Sequence, residues 1–188
     1  DILIARRQAE QREAARRIHP EAQVHFLGEV DGELANTIEL RGRVARVIRE
    51  TTPDIVLGHD PWRRWRMHPD HRNAGFLTVD AVVAARDPHY HREHMADGLT
   101  YHRPRALLLF ECEEPDHVER IEQRHVDAKV KALLAHESQF ETTMVIAADD
   151  DGTQAAAFRE RTERKARTHG RIGGVGLGEA FRLMDPAS

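Results

Sequence analysis

With 188 residues and a net charge of −4, the chain is long enough for one α/β domain and too acidic for a nucleic-acid surface spread across it. No apolar run approaches membrane-spanning length and no secretory leader is visible, which points to the cytoplasm and away from a membrane partner. The single cysteine, Cys112, rules out an internal disulfide; in LLLFEC it reads as a strand residue facing the core or its rim.

The chain opens on DILIARR, without a methionine, and enters a charged helix over residues 2–18. An α/β domain that begins this way lacks a first strand, so an N-terminal strand–loop segment is expected to lie outside this numbering. Arg7 and Glu10, three apart, are placed to pair on the helix surface. Gln23 to Leu27 reads as a strand ended by Gly28, and Asp31-Gly32 as a turn. Asn36 and Glu39 form a plausible capping pair for the next helix. Its apolar stripe is Leu40, Val44, Val47 and Ile48, with Arg41, Arg43, Arg46 and Arg49 outside it. Pro53 stops that helix and a strand follows over Asp54 to Gly58. The alternation predicts a three-layer α/β sandwich with a mainly parallel, Rossmann-like sheet.

Next comes a loop with Trp62, Arg63, Arg64, Trp65 and Arg66, which reads as a solvated loop or a binder of anionic or sugar groups. His68, Pro69, Asp70 and His71 sit at the loop-to-helix junction. Proline suits the first helical turn, which puts the two imidazoles on neighbouring parts of one turn. The spacing fits a metal ligand, a general acid and a supporting carboxylate, at a place where α/β folds keep ligands. It equally fits a solvated turn in which Asp70 complements the helix dipole. Phe76, Leu77, Val79, Val82 and Val83 occupy more than one face, so this helix is expected to be well buried.

Residues 86–104 read as irregular, with His89, His91, His94 and His102 open to a metal site, a cleft lining or a polar loop. A strand over Arg105 to Glu111 follows. A helix striped by Val126, Val130, Leu133 and Leu134 should end near Gln139, with His136 as a dipole partner at its end. Asp149 to Asp151 with Gly152 is a turn, and residues 153–168 suit a charged helix. The glycines of GRIGGVGLG do not make a dinucleotide site, because Glu179 holds the third glycine position and no strand-to-helix setting surrounds them. They lead into a terminal strand, EAFRL.

HPDH after a strand ending in LGHDP resembles the second signature of the LmbE-like (PIG-L) zinc deacetylases. RQAEQREAA, VHFLGEVDGEL, AHESQ and GEAFRL extend the resemblance in the family's order over nearly the whole chain. It implies the LmbE-like fold and a zinc-dependent hydrolase that removes an N-acetyl group from an N-acetylglucosamine-containing small molecule. It assigns His71 as a zinc ligand, though another divalent metal would serve. His68 becomes the acid that protonates the leaving amine and helps stabilise the oxyanion, and Asp70 the carboxylate that orients and charges His68. Arg7 and Asp31 become substrate contacts. The family's first signature, HPDD, supplies the other ligands and the general base; it is absent here, and His19-Pro20-Glu21 is the nearest approach. Residues 1–188 alone are therefore expected to be inactive. Arg66 stands where some relatives carry tyrosine. Self-association is open. A different class, a degenerate sugar- or nucleotide-binding α/β domain, keeps the cleft and loses the metal; an RNA binder built on WRRWR ranks last on net charge.

Overall fold

Short apolar runs alternate with amphipathic ones, and the chain folds accordingly. The structure, a computed structural model, describes residues 2–187. It contains α1 (Ile2–Ile18), α2 (Ile38–Thr51), β1 (Ile55–His59), α3 (Pro69–Arg86) and a short α4 (Arg92–Ala96). Then follow β2 (Ala106–Phe110), β3 (His117–Arg120), α5 (Gln123–Leu133), α6 (Thr153–Ile172) and β4 (Gly178–Met184). The strands make one open sheet in the order β1-β2-β4-β3, with helices flanking it. β1 and β2 are parallel, and β4 joins β2 antiparallel, so the expected α/β sandwich carries a mixed sheet. Leu107, Leu108 and Leu109 are all buried, as a strand covered on both faces requires.

Two compact units divide the chain: Leu27–His117 with residues from Ala180 onward, and residues up to Phe26 with Val118–Glu179. The first holds α2 and α3 face to face around Ala45, Ile48, Ala81, Val82, Ala84 and Ala85. Alanines at the contact let the two backbones come close and leave little side-chain entropy to lose. Thr37, not Asn36, caps α2: its hydroxyl accepts from Leu40 N at 3.1 Å. Asn36 instead donates to Asp80 Oδ2 at 2.8 Å, and Asn73 donates to Leu34 O at 2.6 Å. Side chains of α3 thus hold residues 34–36 in place without a strand.

In the other unit α1 meets α5 through Ala14, Ala132 and Ala135, while Val126 and Val130 pack on Ala166 of α6. Glu10 is buried and pairs with Arg6 rather than Arg7, Arg6 Nε donating at 3.0 Å. Ser138 N and Oγ donate to the same carboxylate at 2.9 and 2.6 Å. Burial pushes the Glu10 carboxyl up, but the Ser138 donors and Arg6 outweigh it and hold the group below its ordinary value. α5 ends at Leu133, earlier than its stripe suggested, and tighter and wider turns carry the chain through Glu137–Gln139 and Phe140–Met144.

Gln23 to Leu27 does not form the expected strand; residues 22–30 are irregular and mostly exposed. Its one large side chain in this unit, Phe26, lies under the Arg12 guanidinium, 4.9 Å from the ring centroid. Phe26 still stands 39% exposed, so the run has no buried face to lay on a sheet.

Candidate metal and acid–base site

Two glycines decide where the site forms. A Cβ on Gly75 would stand 2.6 Å from His59 O and 2.9 Å from Pro61, so only glycine lets α3 lie this close to the end of β1. Gly58 does the same from the strand side, where a Cβ would meet Thr78 Cγ2 at 2.8 Å. His71, one turn before Gly75, is thereby brought over His59. The loop between them is pinned by Asp60, which accepts from Trp62 N at 2.9 Å, and by Trp62, which packs edge-on against Phe76 at 5.8 Å.

His68 caps α3 with Pro69 in the first turn, its Nδ1 accepting from Asp70 N at 3.3 Å. That bond leaves Nε2 to carry the proton, and Nε2 faces Asp31 Oδ1 at 3.8 Å. Asp70 Oδ2 accepts from Gly32 N at 2.7 Å, so the Asp70 carboxylate holds the turn that presents Asp31. The structure therefore brings His68, Asp70, His71 and Asp31 together. Arg7 lies exposed on α1 in the other unit.

Two further residues join them that spacing did not single out. His59 ends β1 and Glu111 follows β2; the register sets His59 beside Phe110, so both lie at the carboxyl ends of adjacent parallel strands. The signal was present in LGHDP and LLLFEC as polar groups closing apolar runs. The His59 and His71 rings stack at 4.6 Å, and His71 and His68 at 5.0 Å. Glu111 and Trp65 both hold left-handed backbone, φ 58° and 63°, conformations that non-glycine residues adopt at a cost.

His59, His71 and Glu111 offer donor atoms that all lie within 4.8 Å of one another. This nitrogen–nitrogen–carboxylate set matches the ligand chemistry of zinc and similar divalent ions. Burial first, then His71 and Arg66, pull the His59 imidazole down to about 4, so it is a neutral ligand at pH 7. The neighbouring cleft, about 450 Å³, is lined by Arg63, Arg64, Trp65, Met67, His68 and Glu113 among others. Trp65 and Met67 stand almost fully exposed along it. The arrangement can hold a cation beside a proton-carrying imidazole, next to an open cleft with aromatic and basic walls.

His91, Glu93 and His94 form a second group of metal-type donors. Its surroundings argue for structure. Arg49, expected outside the apolar stripe, is only 2% exposed, because its guanidinium has a ready-made set of acceptors. It donates to Ala84 O, Asp87 O and Tyr90 O at 2.8, 2.9 and 3.0 Å, to Ala85 O at 3.2 Å and to His91 O at 3.3 Å. It also meets His94 Nδ1 at 2.8 Å, which makes that nitrogen an acceptor and leaves the proton on Nε2 toward Glu93. The Arg49 charge thus caps the last carbonyls of α3 and fastens the loop after it.

The fold is the LmbE-like α/β fold, and the site resembles those of PIG-L-type proteins. Residues 1–82 match the PIG-L family, described as GlcNAc-PI de-N-acetylase. A diacetylchitobiose deacetylase from Thermococcus kodakarensis is 36% identical over 137 residues, 73% of this chain; the chain spans about half, 51%, of that protein. The solved N,N'-diacetylchitobiose deacetylase of Pyrococcus horikoshii superposes with a TM-score of 0.81 at 28% identity, covering 98% of this chain and 65% of that one. A conserved protein from Thermus thermophilus gives 0.70 at 26% identity, covering 97% and 74%. The 4-carboxy-2-hydroxymuconate hydratase of Pseudomonas putida gives 0.67 at 19%, covering 94% and 70%, which speaks to the fold alone. Matched residues and fold make this chain similar to the LmbE-like, PIG-L proteins.

Proposed function

We propose that the protein containing these residues is a zinc-dependent amide hydrolase that removes the N-acetyl group from an N-acetylglucosamine-containing small molecule. The observation that carries this reading is the seating of His68 and His71 side by side over the ends of β1 and β2, with Asp31 at the rim. The similarity to diacetylchitobiose deacetylases supports the substrate class. The chain spans about half, 51%, of one of those proteins, and the activity is proposed for the whole protein.

His71 is the metal ligand in this reading, and His59 and Glu111 stand near it. A bound divalent ion would polarise the amide carbonyl and lower the pKa of an attacking water. His68 holds its proton at Nε2, away from the helix, and delivers it to the leaving amine. Asp70 keeps His68 and the Asp31 turn in register through its amide and its carboxylate. Asp31 binds sugar hydroxyls, and the exposed Trp65 offers an apolar face for a ring.

The test is acetate release from N,N'-diacetylchitobiose by the natural full-length protein, with metal content measured beside it. His71→Ala should lose the metal together with activity. His68→Ala should keep the metal and lose turnover by about 10²–10⁴-fold, as removal of a general acid does. Equal metal loss in both variants would make both histidines ligands and end the acid assignment. Binding of chitobiose without acetate release would leave the non-catalytic sugar-binding reading in its place.

A further inference from the structure

Between the Asp31–Gly32 turn and α2 the chain forms no regular structure, yet it runs against one side of α3. Three residues of that helix meet it. Asp70 Oδ2 accepts from Gly32 N at 2.7 Å, Asn73 Nδ2 donates to Leu34 O at 2.6 Å, and Asp80 Oδ2 accepts from Asn36 Nδ2 at 2.8 Å. In a helix of 3.6 residues per turn, positions 70, 73 and 80 fall within about 80° of one another, so they make a polar rail. Their partners, 32, 34 and 36, recur at every second residue, the period of extended backbone. Leu34 and Asn36 are half-buried while Glu33 and Ala35 are exposed. Residues 32–36 span at most about 13 Å and the helix rises about 15 Å from 70 to 80, so this strap runs nearly straight along the rail.

We propose that Asn73 is a positioning residue of the deacetylation: with Asp70 before it and Asp80 after it, it holds the strap along α3 and so fixes where Asp31 meets the sugar. This rests on the deacetylase reading above, in which Asp31 is a substrate contact.

Asp31 needs more than one anchor. It sits at the corner of a turn closed by Glu33 N on Val30 O at 3.0 Å, with Gly32 supplying the positive φ of 90°, and its side chain is 77% exposed. The Asp70 bond fixes one point of that turn and leaves it free to pivot. The Asn73 bond, two residues further on, fixes its direction and keeps Asp31 Oδ1 3.8 Å from His68 Nε2. Leu34 O can only accept, so the Nδ2 end of the Asn73 amide faces it, and neither alanine nor aspartate supplies that donor. The rail is also a costly way to hold a loop. Asp70 Oδ1 and Asn36 Oδ1 are buried without a hydrogen-bond partner among the described residues. Buried acceptors left unsatisfied cost free energy that an apolar contact would avoid. What the polar pairs add is direction, since a hydrogen bond constrains an angle as well as a distance. Arg41 Nη2, 2.8 Å from the same Asp80 Oδ2, keeps that carboxylate aimed at the strap.

A double-mutant cycle of Asn73→Ala and Asp31→Ala in the natural full-length protein, with N,N'-diacetylchitobiose as substrate, tests this. Asn73→Ala should raise KM by about three- to tenfold, the equivalent of one hydrogen bond, with kcat within about twofold of wild type. In the Asp31→Ala background the same substitution should change KM by less than about twofold, because the residue it positions is gone. Asn73→Asp, which keeps the shape and removes the donor, should repeat the KM increase. A wild-type KM in Asn73→Ala, or an equal fold-change with and without Asp31, would overturn the assignment and leave the deacetylase reading standing. A wild type that releases no acetate sinks that reading and this inference with it. Should Asn73→Ala fail to fold, Asn36→Ala removes the strap's own amide and passes through the same cycle, with the same results supporting or overturning the proposal.

Discussion

Two places in the unit built on α2 and α3 use the same ingredients, two histidines, one glutamate and one arginine, to opposite ends. At His91–Glu93–His94 the arginine arrives from α2 and finds five backbone carbonyls and a ring nitrogen waiting for it. At His59–His71–Glu111 the arginine arrives from a loop and spends one nitrogen on three side chains, while Nε and Nη2 find no partner among the described residues. A buried charge that satisfies main-chain carbonyls is part of the scaffold, since those carbonyls have nowhere else to turn. A buried charge that meets only side chains leaves part of its guanidinium unsatisfied. The distinction lies in the arginine's acceptors and does not show in the residue types.

Methionine in place of each arginine is the sharpest way to break this comparison. Arg49→Met strands the carbonyls at the end of α3, and a loss of about 3–5 kcal/mol in unfolding free energy is expected from urea denaturation. Arg66→Met should lie within about 1 kcal/mol of wild type, because an apolar side chain replaces an incompletely satisfied charge. Similar losses in both would mean that Arg66 is scaffold too.

A second, smaller effect is acid sensitivity in the metal-free protein. Burial first, then His71 and Arg66, lower His59 to about 4; burial, followed by Arg49, lowers His94. A histidine whose folded value is depressed takes up its proton more readily in the unfolded chain. Stability is therefore complete above about pH 6.5 and lost as pH falls toward 4. For His59 the loss by pH 4 is on the order of 3 kcal/mol. His59→Gln should flatten the curve of denaturation midpoint against pH over this window, with His94 keeping a residual slope. An unchanged slope would place the whole acid response at His94.

The smallest contrast compares a glycine at each place. Gly75→Ala drives a Cβ against the His59 carbonyl and Pro61, which cannot step aside, and should cost about 1–3 kcal/mol. Gly42→Ala meets only the His91 ring at 2.7 Å, a side chain that can turn away, and gains helix propensity in α2. Its midpoint should stay within about 1 kcal/mol of wild type. A larger loss at Gly42 than at Gly75 would reverse the assignment of the tight contact.

The sequence by itself determined whatever depends on neighbours along the chain. The 3.6-residue stripe of Leu40, Val44 and Ile48 made α2, Pro53 ended its run, and His68-Pro69 opened α3, because caps, periodicity and proline geometry act within a turn or two. Spacing left HPDH open between a site and a solvated turn, and it was the family resemblance that made it a site and named Asp31 beside it. Tertiary structure decided the rest. Gln23 to Leu27 formed no strand, because most of the run, Phe26 included, stays exposed and packs on no sheet. Arg49 went inside because the end of α3, thirty-odd residues later, offered it carbonyls. His59 and Glu111 reached His71 through the register of β1 with β2 and the close approach at Gly75. Arg66 could be seen to meet all three only once they stood around one nitrogen. Contacts between distant segments are set by which surfaces can pack, and no local pattern encodes that choice.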